Sequence, residues 1–333
     1  MLSTSETGRD PRRGCPHREG GHRRSCDPGG RLALDQGPGP GPARDWSRPG
    51  ETGRIVTPEV VMTLATLMVS VDLGAAAADR IQLAAGLAAR FGARLSGVAA
   101  CPVPIPMPVG EALLLADDLY ASEEERAREH LAGAKALFER EAGGIAARSW
   151  HAGLGSPSAF LAEQARGADL VLVGRQGPAD GDPGPLGVSA GIVLMEAGRP
   201  VLAVPPGLER LDARRVVVAW KDTREARRAV RDALPFLAGA ERVHVVAVGA
   251  DARRGGAEGV VAYLSAHGIA ATAHLLPGET LGAADSLLGF AALEEADLIV
   301  MGAYGHSRLR EWAFGGATRD ILRTTPICCL ASH

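Results

Sequence analysis

One stretch of this chain occurs twice. ADLVLVG at residues 168–174 returns as ADLIVMG at residues 296–302. In each place it follows a run of apolar segments alternating with helix-period ones. A strand apolar at nearly every position needs cover on both faces, which is the condition inside a parallel sheet. The first run reads as strands at 64–72, 95–103, 147–153, 168–174 and 199–205. Between them lie helices at 79–92, from a Ser122/Glu125 capping box to about Glu141, from Ser156–Pro157 onward, and at 188–197. The second run has strands at 214–220, 243–248, 271–278, 296–302 and 325–331, with helices at 224–237, 254–267, 280–295 and from 316. Each copy is the size of one doubly wound domain. The predicted fold is α/β: two tandem doubly wound, mainly parallel five-stranded sheet domains, at 62–208 and 212–333.

Residues 1–61 read differently. Gly and Pro fill 18 of the first 54 positions and branched apolar residues are few. Such a segment cannot bury enough surface to offset its ordering entropy. It reads as a disordered Gly/Pro/Arg-rich tail, with translation from Met62, just ahead of the first strand, as the alternative. The tail holds Cys15, His17, His22 and Cys26, but C-x-H-x4-H-x3-C matches no common zinc module. No metal is expected there.

Composition narrows the function classes. A net charge of −3 over 333 residues calls for no nucleic-acid partner. Only Lys135 and Lys221 are lysines, so arginine is a compositional habit and its clusters carry reduced weight. The apolar run from Val60 to Val71 is too short to span a bilayer. Five cysteines show no disulfide framework. A cytoplasmic protein with no membrane partner is expected.

The repeat extends beyond the apolar motif. Gly174, Gly177 and Gly187 have the spacing G-x2-G-x9-G, and so do Gly302, Gly305 and Gly315, although the residues between them differ. Glycine at the carboxyl end of a parallel strand lets a ligand approach the backbone. Glycine at a following helix start exposes N–H groups to an anion, aided by the helix dipole. The same glycines can also serve only as turn punctuation. Other motifs fail. The chain has no GxxxxGK[ST] and no GxGxxG after a first strand. GVSAG at 187–191 has the letters of a nucleophile elbow, but its strand ends at Gly174, well before Ser189.

Duplicated βαβα units carrying G-x2-G-x9-G after the fourth strand resemble the universal stress protein family, whose fold is adenine nucleotide alpha hydrolase-like. The resemblance runs from 63 to 333, as a tandem member. It implies ATP or a related adenine nucleotide, with magnesium, as the ligand of some members, while others bind none. The acid ending the first strand would hold the nucleoside; the glycines and a hydroxyl after the third would hold phosphates. In the first copy this implies Asp72, Gly174, Gly177, Gly187 and Ser189, with Val188 standing at the hydroxyl position. The loop ADGDPGP before Gly187 brings acids and prolines that would repel and obstruct a triphosphate. In the second copy it implies Gly302, Gly305, His306, Ser307, Arg308, Gly315, Gly316 and Thr318. There Lys221 replaces the acid and Asp222 comes one residue late. The second copy is favoured for phosphates. The family also pairs its domains through their last strands, implying an intramolecular pseudo-dimer able to dimerise again.

Several further residues stand out. Cys328 and Cys329, adjacent on a strand, point to opposite faces and read as buried structural thiols, with a redox pair as the alternative. Cys101 and Trp220 end strands near the crevices and read as core, with base contact as the alternative. His151 and His274 read as satisfied rim residues. The apolar loop 102–118 reads as a lid or partner surface. No base and nucleophile meet, so no catalysis is expected. Two function classes remain: a nucleotide-responsive stress regulator with an unknown protein partner, or a scaffold of the same fold with vestigial pockets.

Overall fold

The computed structural model describes residues 63–104, 116–249, 256–277, 282–303 and 316–333, which all fall within one compact unit, Glu59–His333. The tail and its Cys/His set lie outside the described residues. Its first half runs β1 (Thr66–Ser70), α1 (Ala77–Phe91), β2 (Arg94–Cys101), α2 (Ala116–Glu141), β3 (Arg148–Leu154), α3 (Pro157–Gln164), β4 (Leu170–Gly174), α4 (Ala190–Glu196) and β5 (Val201–Val204). The second runs β6 (Arg215–Ala219), α5 (Arg224–Asp232), α6 (Leu234–Leu237), β7 (Arg242–Val248), α7 (Ala257–Ala266), β8 (Thr272–Leu276), α8 (Ala283–Leu293), β9 (Leu298–Gly302), α9 (Ala317–Thr324) and β10 (Cys328–Ser332).

The two halves share one ten-stranded sheet, ordered β3-β2-β1-β4-β5-β10-β9-β6-β7-β8. Within each half every ladder is parallel. At the seam β5 and β10 pair antiparallel, Ala203 against Cys329 and Leu202 against Leu330. The last strands of the two copies therefore join them.

Side-chain alternation along the strands divides the core between the two faces. One layer holds Leu67, Leu172, Val218, Cys328 and Leu330 under α1, α2, α5 and α7. The other holds Met68, Val173, Ile299, Cys329 and Ala331 under α3, α4, α8 and α9. The thiols of Cys328 and Cys329 are both fully buried, on opposite faces. Burial, with the Asp297 charge second, pushes the Cys328 thiol up to about 12, and burial raises Cys329 further. Neither is a thiolate near neutrality, which argues for structural thiols. Trp220 is core as well.

The repeated A-D-L has a structural cause. Asp169 Oδ2 accepts the backbone N–H groups of Ala65 and Thr66, at 2.8 and 2.9 Å, where β1 begins. Asp297 does the same at β6, accepting from Arg214 and Arg215 at 2.9 and 3.0 Å. One carboxylate thus satisfies two strand-entry donors in each half.

Three local expectations are corrected. The Ser122/Glu125 capping box lies inside α2, which already begins at Ala116; helix propensity and the Glu/Arg pairs of that surface carry the helix past the cap signal. The loop expected at 102–118 is accordingly shorter, and residues 105–115 lie outside the described residues. The helix expected over 224–237 divides at Ala233, because Pro235 suits only the first turn of a new helix, α6.

Candidate functional site

In each half the chain reverses its direction of travel across the sheet between two neighbouring parallel strands, β1 and β4 in one, β6 and β9 in the other. A crevice outside the carboxyl ends at such a switch point is where open α/β sheets hold ligands. In the first crevice Gly174 ends β4 and Asp72 lies two residues beyond β1; in the second Gly302 ends β9 and Asp222 lies three residues beyond β6.

The first crevice is occupied by the protein's own side chains. Arg80 on α1, 3% exposed, reaches over the strand ends. Its Nη2 donates to Asp72 Oδ2 at 2.7 Å and its Nε to the Ser70 carbonyl at 3.0 Å. A Cβ added to Gly174 would stand 2.5 Å from Arg80 Nη1, so this glycine makes room for an arginine. Asp72 Oδ1 also accepts the N–H of Gly74 at 3.0 Å. The acid implied as a nucleoside ligand is thus engaged within the protein.

The glycine loop is closed in the same way. Asp180 Oδ2 accepts the Gly177 N–H at 2.6 Å and the Arg175 Nε at 2.8 Å, while Oδ1 accepts from Arg175 Nη2. Arg175 Nη1 continues to the Thr325 carbonyl at 2.6 Å, at the far end of α9. Beside it, a side chain on Gly177 would collide with the Arg323 carbonyl. Arg175 chiefly, together with the Gly177 N–H and against the opposing effect of burial, holds the Asp180 carboxyl below the usual range. Pro183 lies 2.5 Å from where a Cβ on Gly187 would be. The remaining cavity, lined by Ser70, Asp72, Arg80, Arg175 and Asp180, is about 30 Å³, the scale of one or two water molecules. Ser189 caps α4 in position only: it makes no side-chain capping bond, and its N–H donates to Ser158 Oγ at 3.0 Å. No strand leads into it, so the elbow geometry is absent.

The second crevice is partly described. Gly302 ends β9, and a Cβ there would collide with the Ala226 nitrogen, because the first turn of α5 sits directly on this glycine. Thr223 fixes that turn by accepting the Ala226 N–H at 3.2 Å. Asp222 pairs outward with Arg227 at 2.5 Å. Gly316 occupies the N-cap of α9 with no side-chain capping bond, and Thr318 in its first turn is 7% exposed. Gly305, His306, Ser307, Arg308 and Gly315 lie outside the described residues.

Of the three side chains that fill the first crevice, sequence reasoning missed Arg80 and Arg175, and it read Asp180 only as one of the loop acids that would repel a triphosphate. Their signal was present, since an arginine directly after a strand-ending glycine is a basic residue at a ligand position. It was discounted because arginine is so frequent. His244 was missed too, although VHVVAV places one histidine inside an otherwise apolar strand. Among the described residues no three His, Cys, Asp or Glu side chains group as metal ligands, and no helix is long and apolar enough to cross a membrane.

Comparison with known proteins converges on one family. Residues 64–205 match the family described as "Universal stress protein family". A universal stress protein of Synechocystis sp. is 28% identical over 172 residues, covering 48% of this chain and 56% of that relative. The chain thus spans little more than half the length of the curated relative it matches. The crystal structure of a universal stress protein from Archaeoglobus fulgidus superposes with a TM-score of 0.59 at 16% identity, covering 80% of this chain and 95% of that one. A universal stress protein crystallised in complex with cAMP covers 43% of this chain and 97% of its own at 24% identity, with a TM-score of 0.27. Residues 64–205 of this chain are thus similar to the universal stress protein family.

Proposed function

We propose that the chain is a stress-response regulator of two universal stress protein domains, 62–208 and 212–333, in which an adenine nucleotide is read by the second crevice alone. The observation that carries this is the Asp180 carboxylate on the Gly177 N–H and Arg175. It holds the position that a phosphate would need, so the first crevice is locked from within. The second half keeps the glycine frame, and its helix α9 starts at a glycine N-cap, whose lack of a side chain lets an anion approach the N–H groups of the first turn. Gly302, Gly305, His306, Ser307, Arg308, Gly315, Gly316 and Thr318 form the proposed phosphate side. Bound nucleotide would alter the surface offered to a protein partner.

A scaffold reading has its own support, because α5 packs backbone-to-backbone onto Gly302 and narrows the second crevice. Calorimetric titration with ATP, ADP and AMP, with and without magnesium, separates the two. Micromolar binding near one equivalent, weakened about tenfold by Thr318→Ala and untouched by Asp72→Asn, is the expected result. Absence of heat and of any thermal shift at millimolar nucleotide overturns it in favour of the scaffold.

A further inference from the structure

A second cluster of polar side chains lies at the far edge of the sheet, away from both crevices. The β7–β8 register sets His244 opposite Thr272, and His274 follows two residues along β8 on the same face. Their polar atoms converge. His244 Nδ1 is 3.0 Å from His274 Nε2, Thr272 Oγ1 is 3.0 Å from His274 Nε2, and Thr272 Oγ1 is 3.2 Å from His244 Nδ1. Two nitrogens and an oxygen therefore mark a nearly equilateral triangle.

Hydrogen bonding alone accounts poorly for that figure. Each imidazole nitrogen has one in-plane direction, holding either a lone pair or a hydrogen, and the hydroxyl supplies a single hydrogen. Three mutual contacts cannot all be well directed. Three electron-pair donor atoms gathered within 3.2 Å of one another are instead what a small cation can bridge. Around zinc, with ligands at about 2.0–2.1 Å, tetrahedral neighbours stand about 3.3 Å apart, so the triangle needs to open by only a few tenths of an ångström.

The surroundings match as well. His244 is 8% exposed, and its other nitrogen, Nε2, is buried without a hydrogen-bond partner. That nitrogen faces Glu294 Oε2, at the C-cap of α8, at 3.4 Å. A carboxylate behind the ring, opposite the coordinating nitrogen, is the arrangement that fixes and polarises metal-bound histidines. Phe290, also on α8, packs against both imidazoles, with ring centroids 5.7 Å from His244 and 4.9 Å from His274. β8 is the edge strand and Thr272 is exposed, so an ion has access and room for water or an outside ligand.

We propose that His244 Nδ1, His274 Nε2 and Thr272 Oγ1 form a divalent transition-metal site of zinc type, with Glu294 as the positioning residue behind His244. Two neutral imidazoles and a hydroxyl suit zinc, nickel or copper and disfavour calcium or magnesium, which prefer an all-oxygen shell. The site is independent of the nucleotide reading.

The test is calorimetric titration of the full chain with Zn2+ near neutral pH. His274→Gln, on the edge strand, should remove one equivalent, while His267→Gln, an exposed histidine on the same half, should remove none. Glu294→Gln should keep the equivalent but weaken it about 10–100-fold. A thiolate set elsewhere in the chain would be indifferent to all three changes. Should His274→Gln fail to fold, nitrogen-detected NMR of the wild-type histidines reads the same point: Zn2+ must shift His244 Nδ1 and His274 Nε2 together. Equal stoichiometry and affinity in wild type and His274→Gln, or zinc shifts confined to other histidines, would overturn the proposal.

Discussion

Asp180 accepts the backbone N–H of Gly177 at 2.6 Å, so the middle glycine of the first G-x2-G-x9-G already holds an anion, one supplied by its own loop. Arg175 completes the same carboxylate's shell and ties it to Thr325 in the other half. Asp180→Ala should destabilise the protein by about 2–3 kcal/mol, the scale of charge-assisted hydrogen bonds lost from a mostly buried pair. It should also create an anion site. Thermal melts with and without sulfate are the check: sulfate should raise the variant's Tm more than that of wild type. Equal shifts would mean that the carboxylate is not standing in for a ligand.

The same contact predicts a pH dependence. The folded-state pKa of Asp180 lies below its unfolded value of about 3.9. Its contribution is therefore fully present above about pH 4 and is lost as the pH falls through the lower folded value. Urea melts at stepped pH should show wild type and Asp180→Asn differing above that window and converging below it. A difference that persists undiminished into stronger acid would contradict the assignment.

Gly302→Ala and Gly174→Ala should differ although the two glycines are counterparts in the repeat. At Gly302 the added methyl meets the backbone of α5, which can yield only by moving the helix. At Gly174 it meets the tip of Arg80, a side chain that can turn aside. Overpacking against backbone costs about 1–3 kcal/mol, so denaturant midpoints should fall further for Gly302→Ala. The reverse order would mean that the Arg80–Asp72 pair is the stiffer wall.

Cys328 and Cys329 should resist thiol reagents in the native state, since both are buried and the Cys328 pKa stands at about 12. Labelling at these two positions, followed by peptide mass spectrometry, should proceed at the rate of unfolding and be insensitive to reagent concentration once the reagent is in excess. Rapid labelling of either one in the folded protein would restore the redox alternative.

Arg80→Leu keeps the bulk over the strand ends and removes the charge. Stranding the Asp72 carboxylate, whose side chain is 9% exposed, should cost about 3–5 kcal/mol. The double variant Arg80→Leu/Asp72→Asn should recover part of that loss, as a double-mutant cycle of unfolding energies would show. Additive losses would mean that the two residues act separately.

The strands were legible because hydrophobic period and length reach the same answer in this chain: LVLVG and LIVMG have no place to go except the middle of a covered sheet. The seam through β5 and β10 was legible only through resemblance, as nothing in VLAV or CCLAS names its neighbour. Helix boundaries failed where two local signals competed, at Ser122 inside α2 and at Pro235 between α5 and α6. The candidate site was legible as backbone and illegible as side chains. Glycine spacing marks where a crevice must be, but Arg80, Arg175 and Asp180 fill it through contacts that depend on how α1 lies over β4 and how a Pro-rich loop folds back. His244 and His274 come together only through strand register, which sequence spacing does not disclose.

The antiparallel seam carries a geometric consequence. Each half is parallel within itself, so pairing β5 with β10 in opposite senses turns the two crevices toward opposite poles of the molecule. No single docking partner can cover both mouths from one side. Helix α9 runs between the poles, a strut of 8 residues and about 12 Å. It starts at Gly316 by one crevice and ends where Arg175 grips Thr325 beside the other. One short helix thus has its two ends at opposite poles.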